Sequence, residues 1–326
     1  MKAITIDRHG DAGVLTCSDV DKPAPGPGEL LIRVAICGAG YGDVMVRNGD
    51  YPGAPAFPIT LGFEASGTVQ ATGDGVPEKW LGQRVMVAAP NCNAEYLTCP
   101  VPFVAALPDS VSDEAAAAAA TNYATAHLLL PDAGTADPNS TLLVYAAAGG
   151  VGSAMVQLGK LAGFRVIGLT STEEKCRFVK EQGADVAVNH TTDDVADAIR
   201  TFTEGRGADL IMNSVAGDTL ARDFQVVAPF GRIVLLGMSA GPPAPEAMGH
   251  FLAAFGSSIA LKLFSLSTVA ALRPEAVHDT LEKLAALLAE GKIAPPIHDV
   301  LPLSDAAAAH RMIESGSVMG KVLLKP

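Results

Sequence analysis

From Leu142 onward the sequence alternates short apolar runs, LLVYAA, RVIGLT, VAVN, DLIMNSV and RIVLLG, with amphipathic stretches expected as helices over Val151 to Ala162, Glu173 to Gln182, Asp193 to Phe202 and Thr219 to Val227. Parallel strands need long crossover connections, and helices covering both faces of their sheet demand nearly continuous apolar strands. The alternation therefore predicts a doubly wound parallel sheet.

The chain before this block reads differently. Met1 to about Ala120 carries short β-type runs (LLIRVAI, ASGTVQAT, RVMVAA) broken by Pro- and Gly-rich turns such as PAPGPGE and YPGAPAFP, the pattern of a small β-rich domain. After about Ile259 come a further strand, an amphipathic helix from Pro274 to Glu290 and a closing KVLLKP strand. These pieces are expected to complete the first domain around an inserted second one. The predicted boundaries are 1–121 and 262–326 for the β-rich domain and 122–261 for the nucleotide-type domain. Ser112, Asp113 and Glu114 supply a cap and an acidic first turn to the alanines 115–120, predicting a helix there.

Composition narrows the function classes. With 326 residues, 49% hydrophobic and 18% charged, the chain can bury a sizeable core and is not a disordered one. A net charge of −12 without a long acidic run argues against nucleic-acid binding, which needs a basic footprint. Five irregularly spaced cysteines fit free thiols and a cytoplasmic setting, and MKAITIDRHGDAG lacks the apolar core of a signal peptide. The apolar stretch from Phe251 to Leu272 has Lys262 at its centre, so a buried strand and a helix are expected there, and no membrane partner.

The sharpest local signal is LLVYAAAGGVGSAMVQLGKLAG, a strand running directly into Ala148, Gly149, Gly150, Val151 and Gly152 and then a helix. Such a turn aims free backbone amides and the positive helix end at one point, where a pyrophosphate would sit. Gly149 would let backbone approach the phosphates and Gly152 would let helix and strand pack closely, although Ala147 replaces the first glycine of the usual GxGxxG. An NAD site usually ends its second strand in a carboxylate. Here that end reads Thr170, Ser171, Thr172, with Lys175 a turn later, so small hydroxyls and one ammonium favour NADPH with its 2′-phosphate.

In combination and order, GDAGVL, PGPGELLIRV, VRNGDYPGAPAFPITLGFEASGTV, AAAGGVG, NSVAGDTL, GRIVLLG and GKVLL resemble the medium-chain dehydrogenase/reductases, in particular the zinc-independent, quinone oxidoreductase-like (zeta-crystallin-like) family. The resemblance implies an α/β architecture: a GroES-like β-rich catalytic domain with an inserted Rossmann-type doubly wound parallel sheet domain, and a homodimer. Zinc-dependent relatives use a Cys, a GHE motif and a further ligand. Cys37 stands at the first position, but the motif reads Gly62, Phe63, Glu64, and phenylalanine offers no lone pair, so no metal is expected.

By the same resemblance Tyr51, in Gly49-Asp50-Tyr51-Pro52, stands where zinc-free enoyl reductases place a proton-donating tyrosine. A packed loop tyrosine is the other reading. Tyr41 is a second pocket candidate, and relatives commonly carry Asn at Gly40. Thr125 would touch the nicotinamide phosphates, His190 the adenosine phosphate, and Asn213, Gly237, Met238 and Lys321 the cofactor. The function implied is NADPH-dependent, zinc-free hydride transfer to a quinone or activated alkene, the substrate being a small apolar acceptor. Reduction of an enone or enoyl thioester with Tyr51 as proton donor, and non-catalytic NADPH binding, are the alternatives.

Overall fold

The computed structural model describes residues 1–51, 53, 56–131, 134–137 and 139–326. It divides into two compact units, Met1–Thr125 with Val269–Pro326, and Ala126–Thr268.

The first unit is built on the strand Glu29–Ala39, which pairs with Ala65–Thr72, Tyr96–Pro100 and Lys321–Lys325. The last of these comes from the chain's C-terminal part, aligning Val322 with Ala39 and Leu324 with Cys37, so both chain segments share one seven-stranded sheet. A smaller sheet orders Thr16–Asp19, Lys2–Ile6 and Ile59–Thr60. Ile4, Ile32, Val69, Val85, Leu97 and Leu324 form the core between these layers. The alanines lie on the helix Asp113–His127, with the Ser112 hydroxyl accepting from Ala115 N at 3.1 Å. Ala117 and Ala118 pack against Ile36 and Leu323, where larger side chains would hold the helix off the sheet.

The helix Tyr41–Asn48 is fixed by Arg47, whose side chain is fully buried. Arg47 donates to Gly10 O at 3.0 Å, forms a two-pronged ion pair with Glu314, and donates to His310 Nδ1 at 3.3 Å. Burial, with Arg47 adding to it, pushes the His310 imidazole down to about 4. The unfolded chain takes up this proton near pH ~6.5 and the folded one only near 4, so stability is full above ~6.5 and falls as pH drops through that window. His310→Gln is expected to remove about 3 kcal/mol of the acid-side loss. Urea unfolding of both proteins at pH 7 and pH 4.5 measures it, and equal losses in the two would refute the assignment.

The second unit is a six-stranded sheet, all parallel, in the order Val186–Asn189, Arg165–Thr170, Thr141–Val144, Ala208–Asn213, Val227–Leu235, Ala260–Leu263. The order reverses at Thr141–Val144, so the crossover helices, beginning with Gly150–Ala162, cover both faces. The helices Glu173–Glu181, Val195–Phe202 and Thr219–Val226 lie where the apolar periodicity put them. Two expectations are corrected. The strand Ala260–Leu263, split by a boundary at 261/262, lies wholly in this unit because it hydrogen-bonds to Val227–Leu235. It is also exposed rather than buried, because it is the sheet's outer edge. No helix among the described residues is long and apolar enough to cross a membrane.

Candidate active site

In the second unit the strands end at Val144, Thr170, Asn189, Asn213 and Leu235, and being parallel they end on one edge. That edge brings together Ala148 to Gly152, Thr170 to Lys175, His190, Asn213, Gly237 and Met238. A cleft beside the reversal point is lined by Tyr145, Val151, Gly152, Met212, Ser214 and Leu236.

Its floor is the glycine turn. The first intrahelical bond runs from Ser153 N to Gly149 O, leaving the amides of Gly150, Val151 and Gly152 at the head of the helix. A Cβ on Gly152 would stand 2.2 Å from Ala146 O and 2.7 Å from Ala147 Cα, so only glycine allows this approach. The free amides, the helix end and this close packing fit a pyrophosphate.

At the second strand's end the candidates differ. The Thr170 hydroxyl is buried and bonds within its own turn, to Cys176 Sγ at 3.0 Å and Thr172 O at 3.4 Å. Ser171 is half-buried and His190 exposed at the edge. Lys175 N is capped by the Thr172 hydroxyl at 3.2 Å, and burial lowers the Lys175 ammonium. Glu173 accepts from Asn189 Nδ2 at 3.1 Å, which ties down the nearest carboxylate.

Asn213 does not offer its side chain to a ligand. Its Oδ1 accepts from Val215 N and Ala216 N at 2.8 and 2.9 Å, and its Nδ2 donates to Thr219 Oγ1 and Asp223 Oδ2 at 2.8 and 2.6 Å, which exhausts the amide. Gly237 lies against Ser214 O, where a Cβ would stand 2.8 Å away, and Met238 is exposed beside it.

In the first unit, Tyr51 follows the left-handed Gly49 that ends the helix Tyr41–Asn48, and its amide donates to Met45 O at 3.2 Å. Its ring stacks on Phe63 with centroids 5.4 Å apart, and its hydroxyl makes no hydrogen bond among the described residues. Pro52, Ala54 and Pro55 of the same segment lie outside the described residues. Tyr41 is largely exposed, and partial burial raises its phenol above the usual range. Asp43 is buried and accepts from Gly40 N and Gly62 N at 2.8 and 2.9 Å, and burial pushes its carboxyl up to about 6. Thr125 is buried on its helix.

Lys321 was expected at a cofactor, but its buried ammonium is paired with Glu64 in this unit. Glu64 Oε2 also accepts from Thr121 N at 3.0 Å, and Thr121 Oγ1 donates to Phe63 O at 2.8 Å. A Cβ on Gly38 would stand 2.7 Å from Lys321 Cε, so the lysine fills the space beside Cys37. Burial raises the Cys37 thiol far above its usual range and makes it a poor nucleophile. No group of three or more His, Cys, Asp or Glu that could hold a metal ion occurs among the described residues. The Lys321–Glu64 pair and the Asn213–Asp223–Tyr145 network escape sequence reasoning, because neither has a local pattern.

The alcohol dehydrogenase GroES-like domain profile matches residues 26–126, and a profile described as zinc-binding dehydrogenase matches residues 182–324. The mouse synaptic vesicle membrane protein VAT-1 homolog is 33% identical over 93% of the chain and 78% of its own length. This chain belongs to the medium-chain dehydrogenase/reductases, quinone oxidoreductase-like branch. Within that branch, a Pseudomonas syringae quinone oxidoreductase structure aligns over 100% of this chain and 99% of its own with a TM-score of 0.92 and 31% identity. Escherichia coli quinone oxidoreductase, solved in complex with NADPH, aligns over 100% of both chains with a TM-score of 0.92 and 28% identity.

Proposed function

We propose that the protein is an NADPH-dependent, zinc-free oxidoreductase that reduces a quinone or an activated alkene. The observation that carries the reading is the glycine turn, where Gly152 meets Ala146 O too closely for any side chain and three amides head a helix. When bound there, NADPH supplies the hydride. The amides of Gly150, Val151 and Gly152 hold its pyrophosphate, and Gly237 and Met238 wall the same edge. Ser171, Lys175 and the exposed His190 surround the place for a 2′-phosphate or its neighbour, while Glu173 is held by Asn189.

Zinc-free chemistry is supported by the residues around Cys37. Phe63 has no lone pair, and the side chain of Lys321, held by Glu64, fills the space beside Cys37. Without a Lewis acid, negative charge developing on the acceptor oxygen needs a hydrogen-bond donor. Tyr51 fits that role: Phe63 orients its ring, its hydroxyl is uncommitted among the described residues, and a phenol can give its proton to an enolate. A homodimer belongs to the same reading, because the outer strand Ala260–Leu263 exposes Leu263 near a surface that also carries Phe255 and Leu252. Cytoplasmic residence is supported by five free cysteines, four of them buried.

The test follows NADPH absorbance with a 1,4-quinone and a 2-enoyl thioester in parallel, for wild type and Tyr51→Phe. Loss of a positioned proton donor is expected to cut alkene reduction by ~10² to 10⁴-fold. Quinone turnover unaffected by the substitution, with no alkene turnover in wild type, would make Tyr51 structural and the quinone the substrate class. NADPH binding without turnover of either acceptor would overturn the catalytic reading.

A further inference from the structure

Asp223 has no place in the sequence motifs, yet it is fully buried behind the dinucleotide edge of the second unit. It lies on the helix Thr219–Val226. One carboxylate oxygen accepts from the Tyr145 hydroxyl at 2.6 Å and the other from Asn213 Nδ2 at 2.6 Å. Tyr145 follows directly on the strand Thr141–Val144 and lines the cleft with Val151 and Gly152. Asn213 ends the fourth strand. A single side chain therefore ties together the two strand ends that flank the reversal point, where ligands of open α/β sheets bind.

The bonds continue into the loops. Asn213 Oδ1 holds Val215 N and Ala216 N, and the Thr219 hydroxyl donates to Ala216 O at 2.6 Å. Ala216 adopts φ 56° and Gly217 φ 52°, and the left-handed conformation costs a residue with a Cβ about 1 kcal/mol or more. Such a loop keeps its shape only while its amides are held. It in turn carries the next one: Ala240 N donates to Val215 O at 2.9 Å and Gly217 N to Gly241 O at 3.1 Å, with Gly237 packed on Ser214 O.

Burying this carboxylate carries a penalty. Desolvation pushes Asp223 up to about 6, against the opposing pull of Tyr145, Asn213 and Arg222, so at neutral pH its charged form opposes folding. An apolar side chain there would avoid that penalty, which points to a role other than stability.

We propose that Asp223 is a positioning residue for the cofactor: through Tyr145 and Asn213 it sets the cleft wall and the 213–217 and 237–241 loops in the arrangement that receives the dinucleotide. This rests on the reading of that cleft as the NADPH site. Tyr145 and Asn213 transmit the effect and Asp223 itself touches no ligand.

The test is direct titration of NADPH fluorescence against the intact protein, with a thermal melt for each variant. Wild type is expected to bind. Asp223→Ala is expected to raise Kd at least tenfold without a matching loss of melting temperature. Asp223→Asn keeps an acceptor for Asn213 Nδ2 but turns a donor toward the Tyr145 hydroxyl, which already accepts from Arg222, and is expected to bind more weakly than wild type and more tightly than Asp223→Ala. Tyr145→Phe, which removes the hydroxyl's bonds to Asp223 and Arg222 and keeps the ring, is expected to weaken binding several-fold. If Asp223→Ala binds like wild type, the proposal is wrong. If that variant does not fold, an unchanged Kd in Tyr145→Phe overturns it equally. Failure of wild type to bind NADPH would instead bring down the reading of the cleft, and this inference with it.

Discussion

Gly152→Ala is expected to raise the Kd for NADPH by at least about 100-fold while leaving the first unit's fold intact. The added methyl would sit 2.2 Å from Ala146 O, 2.7 Å from Ala147 Cα and 2.9 Å from Ala146 C, and all three are backbone atoms that cannot swing aside. The helix Gly150–Ala162 must then move away from the strand end by the better part of an ångström. Overpacking of this kind costs typically ~1 to 3 kcal/mol, which a domain of this size tolerates. The binding geometry does not, because the three amides at the helix head act only when they converge on one phosphate. Gly149→Ala separates the two effects. A Cβ there meets only Ala146 O, at 3.3 Å, and the backbone has an ordinary φ of −79°, so the turn keeps its shape and any loss of affinity comes from crowding the phosphate itself. Fluorescence titration with NADPH and a thermal melt measure both variants. Wild-type affinity in Gly152→Ala would show that the turn is not the phosphate site.

The turn was legible because its chemistry is local: strand, glycines and helix follow one another within a dozen or so residues, and hydrophobic periodicity fixes their order. The same holds for the helix Glu173–Glu181, announced by its apolar periodicity, and for the insertion of one unit into the other, announced by β-type runs at both ends of the chain. What could not be read is long-range polar pairing. Arg47 looks like a surface residue on a short amphipathic helix, but its partner Glu314 is 267 positions away and the guanidinium is fully buried. Asp223 stands on a helix whose apolar spacing says nothing about which polar residue turns inward. For Asn213 and Lys321 the positions were legible but the side-chain partners were not: Asn213 is held by its own loop and by Asp223, and Lys321 pairs with Glu64 from the other end of the chain. The outer strand shows the complementary limit, since apolar residues at a sheet edge carry the same signal as apolar residues in its middle.

Lys321 leads to the second large effect. Lys321→Met is expected to destabilise the first unit by about 3 to 5 kcal/mol, the usual result of leaving a buried charge without its partner. The Glu64 side chain is 4% exposed and that of Lys321 5%, so water cannot replace the ammonium. Thr121 N satisfies only Oε2, leaving Oε1 bare. The pair depends on two glycines, since a Cβ added to Gly38 or Gly40 would stand 2.7 Å from Lys321 Cε or 3.1 Å from its Nζ. Lys321→Met leaves the buried Glu64 carboxylate with Thr121 N as its remaining partner. Lys321→Met combined with Glu64→Gln removes both charges and is expected to recover most of the loss, since the pair's own net contribution is small against its desolvation. Urea unfolding followed through Trp80, the sole tryptophan and packed on the core of this unit, reports these changes directly. A deficit below about 1 kcal/mol at pH 7 in Lys321→Met would mean that Glu64 finds another partner in the folded protein.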